Sequence, residues 1–192
     1  MACEYGLRGA VFDRARRYRY LLWRAWDAAL ARATFIMLNP STADARRDDA
    51  TIRACIRLAR AWSFGGIEVV NLFAFRARDP RALLSVRDPV GPRNDALLRD
   101  AAMRASRLVC AWGCADRWLA RVDHVRRLIA GSRALLVCLG RTRNNHPRHP
   151  LYVRSAAPLI AFAECDAADQ MSTRTIRISR RLGISAAPAK QG

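Results

Sequence analysis

TFIMLNPS, residues 34–41, decides how the rest of the chain is read. Thr34 to Leu38 is a compact apolar run, and Pro40 stops it because proline cannot donate to a sheet ladder. Ser41 and Thr42 then suit a loop or a helix cap. The same pattern recurs in IEVVNLF at 67–73, LVCAW at 108–112 and ALLVCL at 134–139, the last two closed by Gly113 and Gly140. Between the apolar runs the spacing turns helical. Over 48–62, Ile52, Cys55, Ile56 and Ala59 share one face while Arg53, Arg57 and Arg60 fall elsewhere. Asp48 or Asp49 is the candidate cap, and Gly65-Gly66 ends that helix. Further helices are predicted over 92–106 and 115–130, with a short one over 155–163. The aromatic-rich stretch 18–26 reads as an additional strand, and residues 1–16 contain no clear element.

Strands that are apolar throughout are buried on both faces, which implies parallel pairing under two layers of helices. The expected fold is therefore α/β. It is a three-layer α/β/α sandwich around a central, mostly parallel four-stranded sheet, and a single domain over residues 1–165 contains it. Residues 166–192 are polar and carry Arg174, Arg177, Arg180, Arg181 and Lys190, so they are expected to form a flexible basic tail. Sheets of this kind bind ligands outside the carboxyl ends of their strands. The segments that converge there are Asn39-Pro40-Ser41, Asn71-Leu72-Phe73, Trp112-Gly113 and the loop from Gly140 to Tyr152.

The composition narrows the function. The 192 residues carry a formal net charge of +18, which favours a polyanionic partner, nucleic acid first. All but one of the 34 basic residues are arginine, Lys190 being the exception. A GC-rich coding sequence explains arginine in place of lysine, but not the excess over the 16 acids. No apolar run reaches the ~18 residues of a membrane span, and the first residues lack the layout of a signal peptide. A cytoplasmic monomer is expected. The six cysteines form no paired Cys-x-x-Cys units, so buried free thiols are expected, with no metal and no cofactor. Phosphate-cradling and dinucleotide-binding glycine motifs are absent, which disfavours nucleotide-triphosphate and dinucleotide enzymes. The Gly-x-Ser-x-Gly elbow is missing too, so a Ser-His-Asp reading through Ser41 has no support.

Three residues stand out for chemistry. Asn39 sits at a strand end, where Asn-Pro is also a common plain turn. Asn71 is an amide in the last turn of an apolar strand; it either bonds neighbouring backbone or faces a site. His149 lies in a proline-restricted loop that fixes its direction, and it can hold or donate a proton near neutral pH. The alternative for His149 is a plain surface-loop histidine; His146 is less favoured because it sits at the loop's crest, and His124 reads as a solvated residue on a helix. Asp44, Asp48 and Asp49 follow the first loop; any of them can orient a water, and capping explains the last two equally well.

Taken together, FIMLNPSTAD at 35–44, DDATIRAC at 48–55, VVNLFAFRARDP at 69–80, CAWG at 110–113 and PRHPLYVR at 147–154 resemble the bacterial "domain of unknown function 1643" family. The likeness runs from about Tyr18 to Phe162. That family brings no established activity. More distantly, the same motifs in the same order resemble the uracil-DNA glycosylase superfamily. This second resemblance implies an N-glycosyl hydrolase acting on a base flipped out of nucleic acid. It implies catalytic roles for Asn39, which would position the attacking water, and His149, which would stabilise the departing base. Pro40, Ser41, Asn71, Phe73, Gly113, Arg148, Pro150 and Tyr152 would contact the substrate. Arg76 and Arg154 would hold the nucleic-acid backbone. The chain departs from the superfamily in its short, polar segment 41–49, which supplies no aromatic to stack on a base, and in Leu151 after His-Pro. Those departures leave open a non-catalytic module that binds nucleic acid, or an enzyme acting on free nucleosides or nucleotides.

Overall fold

The computed structural model describes residues 7–162. Two strands open it, β1 (Arg8–Phe12) and β2 (Arg19–Ala25), followed by β3 (Arg32–Met37), helix α1 (Ala50–Ala61) and β4 (Gly66–Asn71). A 3-10 turn (Pro80–Ser85), α2 (Asn94–Arg104), β5 (Arg107–Cys110), α3 (Leu119–Ile129) and β6 (Leu135–Cys138) follow. Another 3-10 turn (Pro150–Tyr152) and a short β7 (Ile160–Ala161) complete the order.

The strands form one sheet in the order β1-β2-β4-β3-β5-β6-β7. The parallel core is the expected set, β4-β3-β5-β6. The sheet has seven strands rather than four, because β1, β2 and β7 extend it antiparallel at both sides. β1 escaped the sequence reading because RGAVF is short, edge-lying and mostly half-buried. Over 155–162 there is a turn and then β7, not a helix; Ile160 and Ala161 pair with Cys138 and Val137, and Pro158 interrupts any helix there. The third predicted helix begins as a 3-10 turn at Asp116–Trp118 before α3. The expected tail at 166–192 lies outside the described residues.

Alternation along the strands builds two cores. Phe35, Met37, Ile67, Val69 and Val109 face α1 and pack on Ile52, Cys55, Leu58 and Ala59. Ile36, Val70, Leu72, Leu108 and Cys110 point the other way, onto Leu98, Ala101 and Ala102 of α2 and Val122, Val125 and Ile129 of α3. Helices thus cover both faces. Asp49 caps α1, its carboxylate accepting the Ile52 N–H at 2.9 Å.

The connections set the site. From β3 the chain leaves through α1 to β4 on one side, and from β4 it returns through α2 to β5 on the other side of β3. The strand order reverses around β3, and a crevice opens at such a reversal.

Leu98 is fully buried in the second core, whereas Leu135 is 59% exposed. Urea unfolding is expected to show Leu98→Ala losing about 2–5 kcal/mol and Leu135→Ala changing stability by less than about 0.5 kcal/mol.

Candidate functional site

A cleft of about 500 Å³ lies at the crevice, lined among others by Arg19, Asn39, Asp49, Asn71, Trp112 and His149. Each expected residue can now be placed. Asn39, Ser41, Asn71, Gly113, His149 and Tyr152 line this one cleft. Pro40 is buried behind it, its carbonyl accepting the Ala77 N–H at 2.9 Å. Phe73 is in the core, edge-on to Trp118. Pro150 is buried, Arg148 donates through Nε to the Arg141 carbonyl, and Arg154 is exposed; none of the three lines the cleft. Arg76 lines an adjoining groove instead.

Hydrogen bonds fix what each polar group offers. The Asn39 amide nitrogen donates to the carbonyls of Pro40 and Ala77 at 3.0 and 2.8 Å. Both its N–H bonds are used, so Oδ1, an acceptor, is what remains for a ligand or water. Asn71 is the mirror case. Its Oδ1 accepts from Arg19 Nη2 at 3.3 Å, and its backbone carbonyl accepts from Asn94 Nδ2 at 3.0 Å. Nδ2, a donor, is left without a protein partner among the described residues.

His149 is held at the start of the 3-10 turn, where its Nδ1 accepts the Leu151 N–H at 3.3 Å. A neutral ring in that setting carries its proton on Nε2. Burial pushes its pKa below the ordinary histidine value, and the Asp49 carboxylate pulls weakly the other way. The cleft therefore contains a neutral histidine with an Nε2–H donor. Gly113 makes room for this loop. It has φ of +75°, and its N–H donates to the Pro147 carbonyl at 3.0 Å.

Arg19 was not singled out from the sequence, nor were the groove arginines Arg16, Arg17 and Arg78. Arg19, on β2, is 3% exposed and donates to the Ala43 carbonyl and to Asn71. Desolvation lowers its pKa to about 10, with Asp49 opposing the shift. Asp49 is both cap and lining group; its second oxygen accepts the Ala43 N–H at 3.2 Å. Arg16, Arg17, Arg76 and Arg78 surround a second space of about 300 Å³, which shares Ser41, Ala77 and Arg78 with the cleft. None of the four makes an ion pair with a described residue.

At the cleft's rim, Cys114, Asp116 and His146 bring their ligand atoms within 4.8 Å of one another. Asp116 accepts from the Cys114 thiol at 2.9 Å, bonds His146 Nε2 at 2.7 Å and accepts from Asn144. Those three bonds, the thiol's foremost, hold its carboxyl down to about 2. The same bond to Asp116 raises the Cys114 pKa, so this thiol is not an activated nucleophile. The trio is the one group among the described residues with the donor set of a soft divalent ion. His146, expected at the crest of its loop, is instead mostly buried. His124 bonds Asp95 at 2.8 Å. Cys55, Cys110 and Cys138 are buried free thiols, and burial raises the first two well above the ordinary value. Among the described residues no helix is long and apolar enough to cross a membrane.

Residues 19–151 match a family described as "Protein of unknown function (DUF1643)". No curated protein and no solved structure matches the chain.

The His149 assignment is open to measurement. Nitrogen-15 NMR is expected to show an Nε2–H tautomer and a titration midpoint below the ordinary value of about 6.5. Asp49→Asn, which keeps a capping side chain, removes the opposing charge and is expected to lower the midpoint further. The unfolded chain takes up its proton near the ordinary value. Stability from the neutral ring is therefore present above that value and is lost as pH falls through the folded one. A midpoint above the ordinary value would contradict the assignment.

Proposed function

The chain belongs to the DUF1643 family, and we propose that it is an N-glycosyl hydrolase that acts on a base in nucleic acid. The reading draws on the more distant resemblance to the uracil-DNA glycosylase superfamily. The observation that carries it is the complementary set of free groups in one cleft: an acceptor on Asn39, a donor on Asn71 and a donor on His149.

Breaking an N-glycosidic bond leaves positive charge on the sugar carbon and negative charge on the base. In this reading a water held at Asn39 Oδ1 attacks the sugar carbon, forming the new C–O bond as the C–N bond breaks. The electron pair of the broken bond leaves with the base. The Nε2–H of His149 donates to that base, and Asn71 Nδ2 hydrogen-bonds its edge. Asp49 supplies the negative charge that favours the cationic sugar and receives the water's proton. That proton passes to the departed base through solvent, so the products are the hydroxylated sugar and the neutral base. The volume of the cleft suits a single nucleoside. The groove of Arg16, Arg17, Arg76 and Arg78 adjoins it and suits the phosphates on either side of a flipped nucleotide. Its cations would make binding steeply salt-dependent.

The test is mass-spectrometric detection of free bases released from DNA carrying varied modified bases. Release by the intact protein is expected, with Asn39→Ala and His149→Ala each reducing the rate about 100-fold or more. If no base is ever released while both variants bind DNA as the intact protein does, the hydrolase reading is wrong. The fold then serves as a binding module.

A further inference from the structure

Arg19 is a charged side chain in a place that usually excludes one. It is 3% exposed, yet among the described residues it makes no ion pair. Each Nη makes one bond, to the Ala43 carbonyl at 3.2 Å and to Asn71 Oδ1 at 3.3 Å, both long for a charged donor. Its Nε–H is buried without an acceptor. By contrast Arg24, at the far end of β2 and equally buried, pairs with Asp48 at 2.7 Å and fills its remaining donors with backbone carbonyls. Among the described residues the fold therefore places a carboxylate in contact with one buried arginine of this strand and none in contact with the other. An unpaired buried cation is costly to keep, and such violations concentrate where a ligand completes the arrangement.

The surroundings point to the missing partner. Arg19 and Asn71 both line the cleft, and with Oδ1 of Asn71 held by Arg19 the amide keeps its Nδ2 donor unengaged among the described residues. Trp112 Nε1, another donor on a lining residue, is also without a partner. Charges near Arg19 are mixed: Asp49 favours its protonated form, while Arg24 and Arg76 repel it. Asp49 does not neutralise it by contact, since its oxygens are turned to the N–H groups of Ile52 and Ala43.

We infer that Arg19, with Asn71 Nδ2 beside it, forms an oxyanion-binding subsite in the cleft. The group that enters carries a full negative charge on oxygen, as a phosphate or a carboxylate does. The subsite goes beyond the hydrolase reading, because it holds whichever bond the cleft acts on.

The experiment follows the Nε–H signal of Arg19 by nitrogen-15 NMR in the full chain, with the signal assigned by its loss in Arg19→Met. Inorganic phosphate is titrated in one arm and acetate in the other. A saturable shift of the Arg19 signal is expected, and the anion that binds more tightly names the source. Calorimetric affinity for that anion is expected to fall about ten- to a hundredfold in Arg19→Met, the worth of a hydrogen bond to a charged group. In Arg19→Lys it falls less. Arg76→Ala, which alters the adjoining arginine groove, leaves the Arg19 shift in place. An Arg19 signal unmoved by either anion overturns the inference. So does undiminished anion binding in Arg19→Met. If that variant does not fold, the signal in the intact protein and the affinity of Arg19→Lys decide. Base release plays no part in these readouts, so the hydrolase reading can fail while the subsite stands.

Discussion

A chain of hydrogen bonds, Arg19 to Asn71 to Asn94, crosses the interior at the end of β4, and the site depends on it. The last peptide groups of a central strand have carbonyls with no further strand to pair with, in surroundings too apolar for water. Here Asn94 Nδ2 takes the carbonyls of both Asn71 and Leu72, and Arg121 Nε takes that of Leu72 as well, at 2.7 Å. Arg19 closes the chain from the other side and reaches on to Ala43 in the loop after β3. Four elements, β2, β4, α2 and α3, are thereby locked to one strand end. The direction of the Asn71 amide follows from this lock. An amide whose oxygen and backbone are both held has one choice of donor to present, which is the preorganisation a binding group needs.

The same region explains why the cleft has no competitor for position on topological grounds. α1 leaves β3 toward one face, and α2 leaves β4 toward the other, so no helix covers the strand ends where the two paths part. The loop from Gly140 to Tyr152 closes the third side. It is pinned by the bond from Gly113 to Pro147 and by that from Arg148 to Gly140. A loop held by backbone bonds at two glycines of positive φ delivers His149 to a fixed place although its own side chain contributes little to the fold.

Much of this was legible in the sequence, for identifiable reasons. β3, β4 and β5 are buried almost throughout and β6 over its second half, so each reads as a short apolar run. Their ends are marked by residues that cannot continue a strand, Pro40, Gly113 and Gly140, so the loops that carry Asn39, Asn71, Gly113 and His149 could be located. The antiparallel margins were harder. β1 is an edge with mixed exposure, and β7 is two exposed residues whose pairing with β6 is decided by contacts far away in sequence. Arg19 left no local trace. One arginine in a chain so rich in them carries no information until the sheet buries it. Its position inside an aromatic run, RYRYLLW at 17–23, was the only hint available.

That lesson bears on the net charge itself. A total of +18 suggests a polyanion, but the arginines do not act as one population. Arg24 and Arg121 are internal clamps with carboxylate partners. Arg32 and Arg104 flank the buried Glu68 of β4. Such residues satisfy neighbours and have little charge to offer a ligand. Arg16, Arg17, Arg76 and Arg78 are different, because they gather around one groove without an ion pair, beside a cleft that contains Arg19 in the same condition. What favours an anionic partner is therefore the convergence of these arginines on one place, whether or not GC-rich coding supplied every other arginine in the chain.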